Sequence, residues 1–194
     1  GTRYVVRRKP PGQLLPSAHA VDREYRVLSA LQRTDVPVPR TYALCTDESV
    51  IGTWFYVMEC VEGRVLWEPH LPGCTPAERF AIYDSLCDVL ARLHRVDWRA
   101  LGLEDFGRPG NYFARQLSRW TKQYQASQTE PVPEMDALME WLPRTIPPGD
   151  DTALIHGDFK LDNTILHPTE PRVIALLLVI LLLALVGLAS LLAA

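Results

Sequence analysis

The segment LIHGDFKLDN, residues 154–163, places several charged and amide side chains in one short loop. Two strand candidates flank it, because TALIH and NTILH, residues 152–156 and 163–167, are short runs rich in β-branched and apolar residues. A loop held by a strand at each end keeps its polar groups at one edge of the fold. The sequence therefore predicts a fixed polar site here.

The spacing within this loop suits phosphoryl transfer. That reaction needs a carboxylate to position the acceptor hydroxyl, metal ions over the phosphates and fixed positive charge. Asp158 could take or orient the hydroxyl proton, Lys160 could reach the transferred phosphate, and Asn163 could bind magnesium. We interpret His156 as a hydrogen-bonded structural residue that shapes the loop.

The first sixty residues predict an antiparallel sheet with one helix packed on it. Ser17 is a candidate N-cap for a helix in residues 18–33, which the proline-containing segment DVPVPR ends. The last two of three predicted strands form a hairpin. These strands are RYVVRR, TYALC and TWFYVMEC, residues 3–8, 41–45 and 53–60.

From Thr75 onward the pattern is helical. Thr75, Pro76 and Glu78 suit the N-cap, N1 and N3 positions of a capping box. Asn111 is a candidate N-cap of a second helix, and residues 133–142 predict a third. The first helix carries an apolar stripe of Ile82, Leu86, Val89, Leu90 and Leu93.

Charge and cysteine content exclude several classes of protein. A formal net charge of -3 over 194 residues gives no electrostatic footprint for nucleic acid, and no nucleic-acid-binding motif is present. The four cysteines have no CxxC spacing, so they predict no zinc site and fit a reducing cytoplasm. The N-terminal segment lacks the apolar stretch of a secretory signal. We expect a cytoplasmic protein.

The chain resembles the aminoglycoside phosphotransferase and choline kinase family, which shares the two-lobed protein-kinase fold. HGDFKLDN is similar to that family's catalytic loop, and H-G-D followed by Asn five residues after the Asp is the specific part of the match. Residues 5–28, 50–63 and 102–107 look like the phosphotransferase-like proteins related to the kinase domain that precedes some acyl-CoA dehydrogenases.

The resemblance implies an α+β fold, present in part. Residues 1–62 would form a partial N-lobe of antiparallel sheet and helix, and residues 63–175 a mainly helical partial C-lobe with the catalytic loop. Residues 173–194 would be a separate hydrophobic tail. In the C-lobe, Trp120, Tyr124 and Trp141 are predicted core residues.

The resemblance also implies a nucleotide site. Arg7 stands where the family's phosphate-anchoring strand lysine stands, and Glu24 matches the helix glutamate that pairs with that base. Glu59 and Val61 would supply backbone groups to adenine. Without the family resemblance, the simpler interpretation is that Arg7 lies at a solvated strand end. Glu24 would then form a surface ion pair that contributes little energy.

The implied activity is that of an ATP- and Mg²⁺-dependent small-molecule kinase, with Asp158 as catalytic base and Asn163 as metal ligand. The γ-phosphate would pass to a hydroxyl of a small substrate, which the subgroup resemblance suggests is a hydroxyacyl-CoA. The alternative is a non-catalytic kinase-like module that binds a nucleotide or a protein partner.

Three departures from the family pattern accompany the resemblance. The second metal-binding aspartate should fall at about position 178, where the sequence has Leu178, which cannot coordinate magnesium. Only Gly1, Thr2 and Arg3 precede Tyr4, where a glycine-rich turn is expected, and the family's C-terminal helices do not follow. We interpret the chain as truncated at both ends and expect it to be nearly inactive.

Residues 173–194 form a run of 22 residues without a charge. As a helix the run would extend about 33 Å, enough for a bilayer core of about 30 Å. A membrane anchor is one interpretation, and only this one gives the protein a membrane partner. A frameshifted or truncated gene product is the interpretation we favour. The third is a strand and buried helix that close the lobe.

Overall fold

The structure is a computed structural model that describes residues 1–9, 21–107, 110–149, 151–177 and 181–184. The helices are α1 Val21–Leu31, α2 Glu48–Ile51, α3 Pro76–Arg95, α4 Tyr112–Ser127 and α5 Pro133–Trp141. The strands are β1 Tyr4–Arg8, β2 Thr41–Cys45, β3 Phe55–Glu59, β4 Thr152–Ile155, β5 Thr164–Leu166, β6 Val173–Leu176 and β7 Leu181–Ala184.

The N-terminal sheet has the order β1-β3-β2, with both pairs antiparallel. Helix α1 contacts β2 and β3, and it buries Val27, Leu28 and Leu31. The predicted antiparallel sheet with one helix is therefore confirmed, whereas the predicted cap Ser17 lies outside the described residues. The hairpin loop also contains the short helix α2, which begins where the Asp47 carboxylate accepts a hydrogen bond from Ser49 N at 2.8 Å.

Helix α3 begins at the predicted capping box. Glu78 N donates to Thr75 Oγ1 at 3.2 Å, and Thr75 N donates to Glu78 Oε2 at 2.8 Å, so two backbone N–H groups at the helix start are satisfied. Its predicted apolar stripe is buried at Ile82, Leu86, Val89 and Leu93, while Leu90 is half-buried.

The polar loop lies between β4 and β5, and β5 pairs with β6 in an antiparallel hairpin. Leu166 and Leu176 of this hairpin are fully buried. The first four residues of the hydrophobic tail are therefore a core strand, and β7 forms a two-stranded sheet with β4. Among the helices that the structure describes, none has the length and apolarity needed to cross a membrane. Residues 178–180 and 185–194 lie outside the description.

Gly63 lets the segment after β3 lie directly on the β5–β6 hairpin. A Cβ at this position would lie 2.3 Å from Leu166 O and 2.4 Å from Ile165 Cγ2, so no larger residue fits without movement. The contact continues at Arg64, whose N–H donates to Leu166 O at 2.8 Å and whose carbonyl accepts from Leu166 N at 2.8 Å. Residues 63 and 64 thus attach this segment to the hairpin.

The chain divides into two compact units. One comprises Gly1–Phe106 with Leu154–Leu181, and the other comprises Gly107–Ala153 with Leu182–Ala194. The lobe boundary near residue 62 remains a prediction. All of the candidate site residues lie in the first unit.

Two expectations about the second unit are wrong. Trp120 and Trp141, predicted as core residues, are 56% and 58% exposed, whereas Tyr124 of the same prediction is half-buried. Neither α4 nor α5 has a fully buried side chain among its described residues, and an aromatic residue is buried only where another element covers its helix face. Asn111 does precede α4 as predicted, but its side chain makes no capping hydrogen bond, because its backbone is left-handed with φ 50°.

Candidate functional site

A bidentate ion pair joins strand β1 to helix α1. Arg7 Nε lies 3.1 Å from Glu24 Oε2, and Arg7 Nη2 lies 3.3 Å from Glu24 Oε1. The Glu24 side chain is only 9% exposed, while that of Arg7 is 38% exposed. The hydrogen bond to Glu24 raises the pKa of Arg7 above its ordinary value. The pairing that the resemblance implies is thus present, in a position sheltered from solvent.

Tyr56 completes this cluster. Its hydroxyl donates to Glu24 Oε2 at 3.2 Å, and burial raises the pKa of the phenol. Sequence reasoning missed this residue, although a signal existed. Tyr56 and Met58 alternate with Val57 along β3 and so share a face, and Tyr56 is the register partner of Arg7 in the β1–β3 pair.

A cavity of about 420 Å³ lies beside this cluster. The sheet, α1 and the end of the polar loop all contribute to its wall, so Arg7 and Asn163 face one space. The full lining is Val5, Val6, Arg7, Leu28, Pro39, Tyr56, Met58, Asn163, Leu176 and Leu177. This combination of apolar walls and a few convergent polar groups is typical of small-molecule sites.

The polar loop brings Asp158, Lys160 and Asn163 together. Asn163 Nδ2 donates to the Asp158 carboxylate at 2.9 Å and to its backbone carbonyl at 2.8 Å. Lys160 Nζ lies 3.4 Å from Asp158 Oδ2 and 3.3 Å from Asp162 Oδ2. Hydrogen bonds to Asp162 and Asp158 raise the pKa of Lys160. The side chains of Asp158 and Lys160 are each 50% exposed, so a ligand can reach them.

The buried His156 ring fixes this loop through two hydrogen bonds. It is 1% exposed, its Nε2 donates to Leu177 O at 3.0 Å, and its Nδ1 accepts from Asp158 N at 3.4 Å. These two partners require the neutral ring with its proton on Nε2, because a carbonyl oxygen can only accept. Burial lowers the pKa of His156, which favours the same neutral form. The predicted structural role is therefore confirmed.

The predicted adenine-binding residues lie apart from the cavity wall. Glu59 N already donates to Arg40 O at 2.7 Å, and the Glu59 carboxylate accepts from Arg40 N at 3.2 Å. The Glu59 N–H is therefore already engaged within the fold. Val61 follows β3 in the connection to Gly63 and is half-buried. The role of both residues in binding adenine stays a prediction.

The described residues fit a magnesium ion only in part. Because Asn163 turns its NH₂ group to Asp158, its Oδ1 is the atom left for a cation. Within the part of the chain that the structure describes, no group of three or more His, Cys, Asp or Glu side chains is placed to hold a metal. Leu178, at the position of the second predicted ligand, lies outside that part. We therefore derive no catalytic step through the metal.

A sequence model of the phosphotransferase enzyme family, APH, matches residues 1–177. The chain belongs to this family. The expected kinship and its kinase-like α+β fold are thereby confirmed. Within the matched range lie residues 156–163, the predicted catalytic loop, where the structure places Asp158, Lys160 and Asn163 together.

The curated relatives of this chain are much longer proteins, and the chain matches only a part of each. It is 53% identical over 184 residues to "Probable acyl-CoA dehydrogenase IBR3" of Arabidopsis thaliana, covering 90% of this chain and 22% of that protein. It is 53% identical over 175 residues to "Acyl-CoA dehydrogenase family member 11" of Rattus norvegicus, with the same coverage of 90% and 22%. The chain thus spans about a fifth of these curated relatives.

A solved structure supports the fold of the APH chain. The crystal structure of "a putative aminoglycoside phosphotransferase" from Ralstonia eutropha is 58% identical and superimposes with a TM-score of 0.79. The match covers 90% of this chain and 51% of that one. The kinase-like α+β fold is therefore shared with this solved structure.

Proposed function

We propose that this protein is an ATP-dependent phosphotransferase that moves the γ-phosphate to a hydroxyl of a small molecule. The observation that carries the proposal is the cavity of about 420 Å³, in whose wall Arg7 and Asn163 both lie. Arg7 is fixed by Glu24, and Asn163 is bonded to Asp158. Fixed positive charge for the nucleotide and a carboxylate for the acceptor therefore stand in one unit of the fold.

In the proposed reaction Asp158 orients the acceptor hydroxyl and takes its proton. The acceptor oxygen forms a bond to the γ-phosphorus, the bond from that phosphorus to the bridging oxygen of the β-phosphate breaks, and ADP leaves with the bonding electrons. Lys160 would exchange its contacts with Asp158 and Asp162 for the transferred phosphate. Its exposure makes this exchange inexpensive, because solvated ion pairs are weak.

Magnesium would arrive with the nucleotide phosphates, and Asn163 Oδ1 is the proposed protein ligand. Mg²⁺ commonly keeps most of its ligands from phosphates and water, so one protein ligand is compatible with binding. The carboxylate that the family pattern places at position 178 is replaced by Leu178. We propose that this replacement slows transfer more than it weakens nucleotide binding.

For the acceptor we propose a hydroxyacyl-CoA. The support is the naming of long relatives as acyl-CoA dehydrogenases, which suggests that the two activities meet the same class of substrate. In the test, purified protein is incubated with ATP that carries ³²P in its γ-phosphate and with either a hydroxyacyl-CoA or an aminoglycoside. Labelled phosphate on the hydroxyacyl-CoA is expected, whereas labelling of the aminoglycoside alone would overturn this assignment.

The decisive experiment separates binding from transfer. Calorimetric titration with ATP and Mg²⁺ should show binding to the wild-type protein and much weaker binding to Arg7→Met. Phosphoryl transfer should be slow in the wild type, faster in Leu178→Asp, and lost when Asp158→Asn is added to either background. Arg92→Met, which removes an exposed arginine of α3 far along the chain from the loop, is the control for lost charge. Absence of ATP binding by the wild type would overturn the proposal.

A non-catalytic nucleotide-binding module is the second candidate, and Leu178 favours it. On this alternative ATP binds, but Leu178→Asp gives no transfer with any hydroxyl acceptor. Transfer that appears in Leu178→Asp and disappears with Asp158→Asn would exclude it.

A further inference from the structure

A turn formed by residues 101–106 contacts the outer side of helix α1. Arg26 forms a two-pronged pair with the Asp105 carboxylate, in which Nη1 lies 3.1 Å from Oδ2 and Nη2 bonds Oδ1. The same Nη2 donates to Gly102 O at 2.6 Å. Arg26 therefore reaches both a side chain and the backbone of this turn.

Two more arginines of the same helical stretch contact this turn. The Arg23 guanidinium stacks on the Phe106 ring at 4.2 Å and donates to the Phe106 carbonyl. Arg33, just beyond the helix end, donates from Nη2 to Leu101 O at 2.8 Å. At about 100° per residue, positions 23 and 26 lie about 60° apart around the helix, so one side of α1 meets the turn.

The turn is itself firmly anchored. Leu103 and Phe106 are 1% and 3% exposed, and Leu103 N donates to Trp98 O at 3.0 Å. Gly102 has a φ of +72°, which glycine adopts without strain and which closes the turn. An arginine that binds this turn is therefore attached to a fixed point of the first unit.

Helix α1 also carries Glu24, whose bonds to Arg7 and Tyr56 lie between 3.1 and 3.3 Å. A rotation or slide of α1 by about 1 Å would place these atoms outside hydrogen-bond range, since such bonds weaken quickly beyond about 3.2 Å. The outer contacts of α1 thus act on the geometry of the inner pair, although none of them touches the cavity.

We propose that Arg26 and Asp105 are positioning residues that hold α1 so that Glu24 keeps Arg7 aimed into the nucleotide cavity. The inference rests on the proposed function for the nucleotide, and on the structure for the contacts. Without the outer pair α1 visits positions in which the Arg7–Glu24 pair is open. The apparent nucleotide affinity then equals the intrinsic affinity multiplied by the fraction of molecules in which the pair is closed.

The Arg26–Asp105 pair is well suited to a test, because its side chains are 42% and 76% exposed. Exposed pairs contribute little to global stability, so removing this one should leave the fold intact. A change in nucleotide affinity without a change in the unfolding midpoint is therefore the signature of positioning. A merely structural role would lower both together.

The experiment measures Mg-ADP affinity by calorimetry and the nucleotide-free thermal midpoint for Asp105→Asn and Arg26→Gln. We expect affinity to fall by about 2- to 5-fold, as for a competent fraction of about 0.2 to 0.5, with the midpoint near that of the wild type. The exchanged pair Arg26→Asp with Asp105→Arg should recover most of the affinity. Asp88→Asn, which opens the exposed Asp88–Arg92 pair of α3, is the matched control and should bind like the wild type.

Two outcomes overturn the inference. One is unchanged affinity in both single variants, and the other is a loss that the exchanged pair does not recover. Amide hydrogen exchange provides a reading that needs no nucleotide: Asp105→Asn should speed exchange in residues 21–31 and leave α3 unchanged. If the wild type binds no Mg-ADP, the proposed function fails. The rate of amide hydrogen exchange in α1 would still show whether Asp105 fixes the helix.

Discussion

The two charged clusters of the site differ in how much solvent reaches them. The Glu24 side chain is 9% exposed and receives bonds from both Arg7 and Tyr56, whereas Asp158 and Lys160 are each half exposed. The first cluster joins two secondary-structure elements, and the second lies within one loop. The same type of interaction, a carboxylate with a cation, therefore stabilises the fold in one place and remains available to ligands in the other.

This difference has an energetic basis. Removing one partner of a sheltered pair leaves a charge that water cannot fully solvate, while removing one partner of an exposed pair costs little. The cluster of Arg7, Glu24 and Tyr56 should thus be sensitive to substitution even without ligand. The polar loop should tolerate substitution in the folded state, and its substitutions should affect mainly the proposed transfer reaction.

The largest effect on stability is expected for Arg7→Met. It leaves Glu24 with the Tyr56 hydroxyl as its remaining partner in this cluster, and we expect a loss of about 2 kcal/mol in the free energy of unfolding. This value is below the range for fully buried pairs, because Arg7 is partly exposed. Urea denaturation measures it, with Arg92→Met as the control. Equal stability of Arg7→Met and the wild type would contradict the contrast between the clusters.

Stability should also depend on pH through His156. Its pKa lies below the ordinary value of about 6.5, so above that pH neither the folded nor the unfolded state carries the proton and stability is full. As the pH falls below about 6.5 the unfolded chain binds the proton first. Stability then decreases by up to about 1.4 kcal/mol per pH unit until the folded ring also titrates.

His156→Gln tests this dependence, since its amide can still donate to Leu177 O. Denaturation at pH 8, 6.5 and 5.5 should give a shallower decline for the variant than for the wild type. His94, whose pKa is also lowered by burial, should maintain part of the decline. An unchanged slope in His156→Gln would show that the ring under the loop is not a source of the pH dependence.

A smaller effect is expected for Tyr56→Phe. The substitution removes only the hydroxyl that donates to Glu24 and should lower the free energy of unfolding by about 1 kcal/mol. Tyr83→Phe is a suitable control, because the Tyr83 hydroxyl bonds Pro69 O at 2.6 Å on the surface, where water can replace it. If both variants lose the same stability, burial of the Tyr56 bond is not what matters.

The smallest effect on stability is expected for Lys160→Met. Lys160 is half exposed, and Asp158 and Asp162 can both be solvated when it is absent. The urea midpoint should therefore stay at the wild-type value, while transfer by Leu178→Asp should fall when Lys160→Met is added. A clear loss of stability would place the loop in the same class as the Arg7 cluster.

Local patterns predicted much of the fold. The capping box at Thr75 and Glu78 predicted the start of α3, and short strand-like runs separated by turn segments predicted β1, β2 and β3. These signals work because they act within a few residues along the chain. The loop at Asp158 and Asn163 was found in the same way, since its contacts join residues five apart.

Contacts between distant segments were not predicted from local signals. Arg26 and Asp105 are 79 residues apart, and no local pattern indicates that they meet. The bond from Glu59 N to Arg40 O likewise depends on the register of the folded sheet. The exposed Trp120 and Trp141 show the opposite error, because helical spacing tells which residues share a face and not whether another element covers it.

Gly63 has a consequence for the tolerance of this chain to variation. In a library that samples every residue at every position, a selection for function should remove substitutions of Gly63 as strongly as substitutions of Asp158. This is expected although Gly63 has no side chain to contribute to chemistry. Selection for folded protein alone should remove substitutions at position 63, because the carbonyl of Leu166 occupies the space that a Cβ needs. Substitutions of the half-exposed Asp158 should survive that selection and be lost only in a selection for the proposed transfer reaction. The two selections would thus tell lack of space from lack of function.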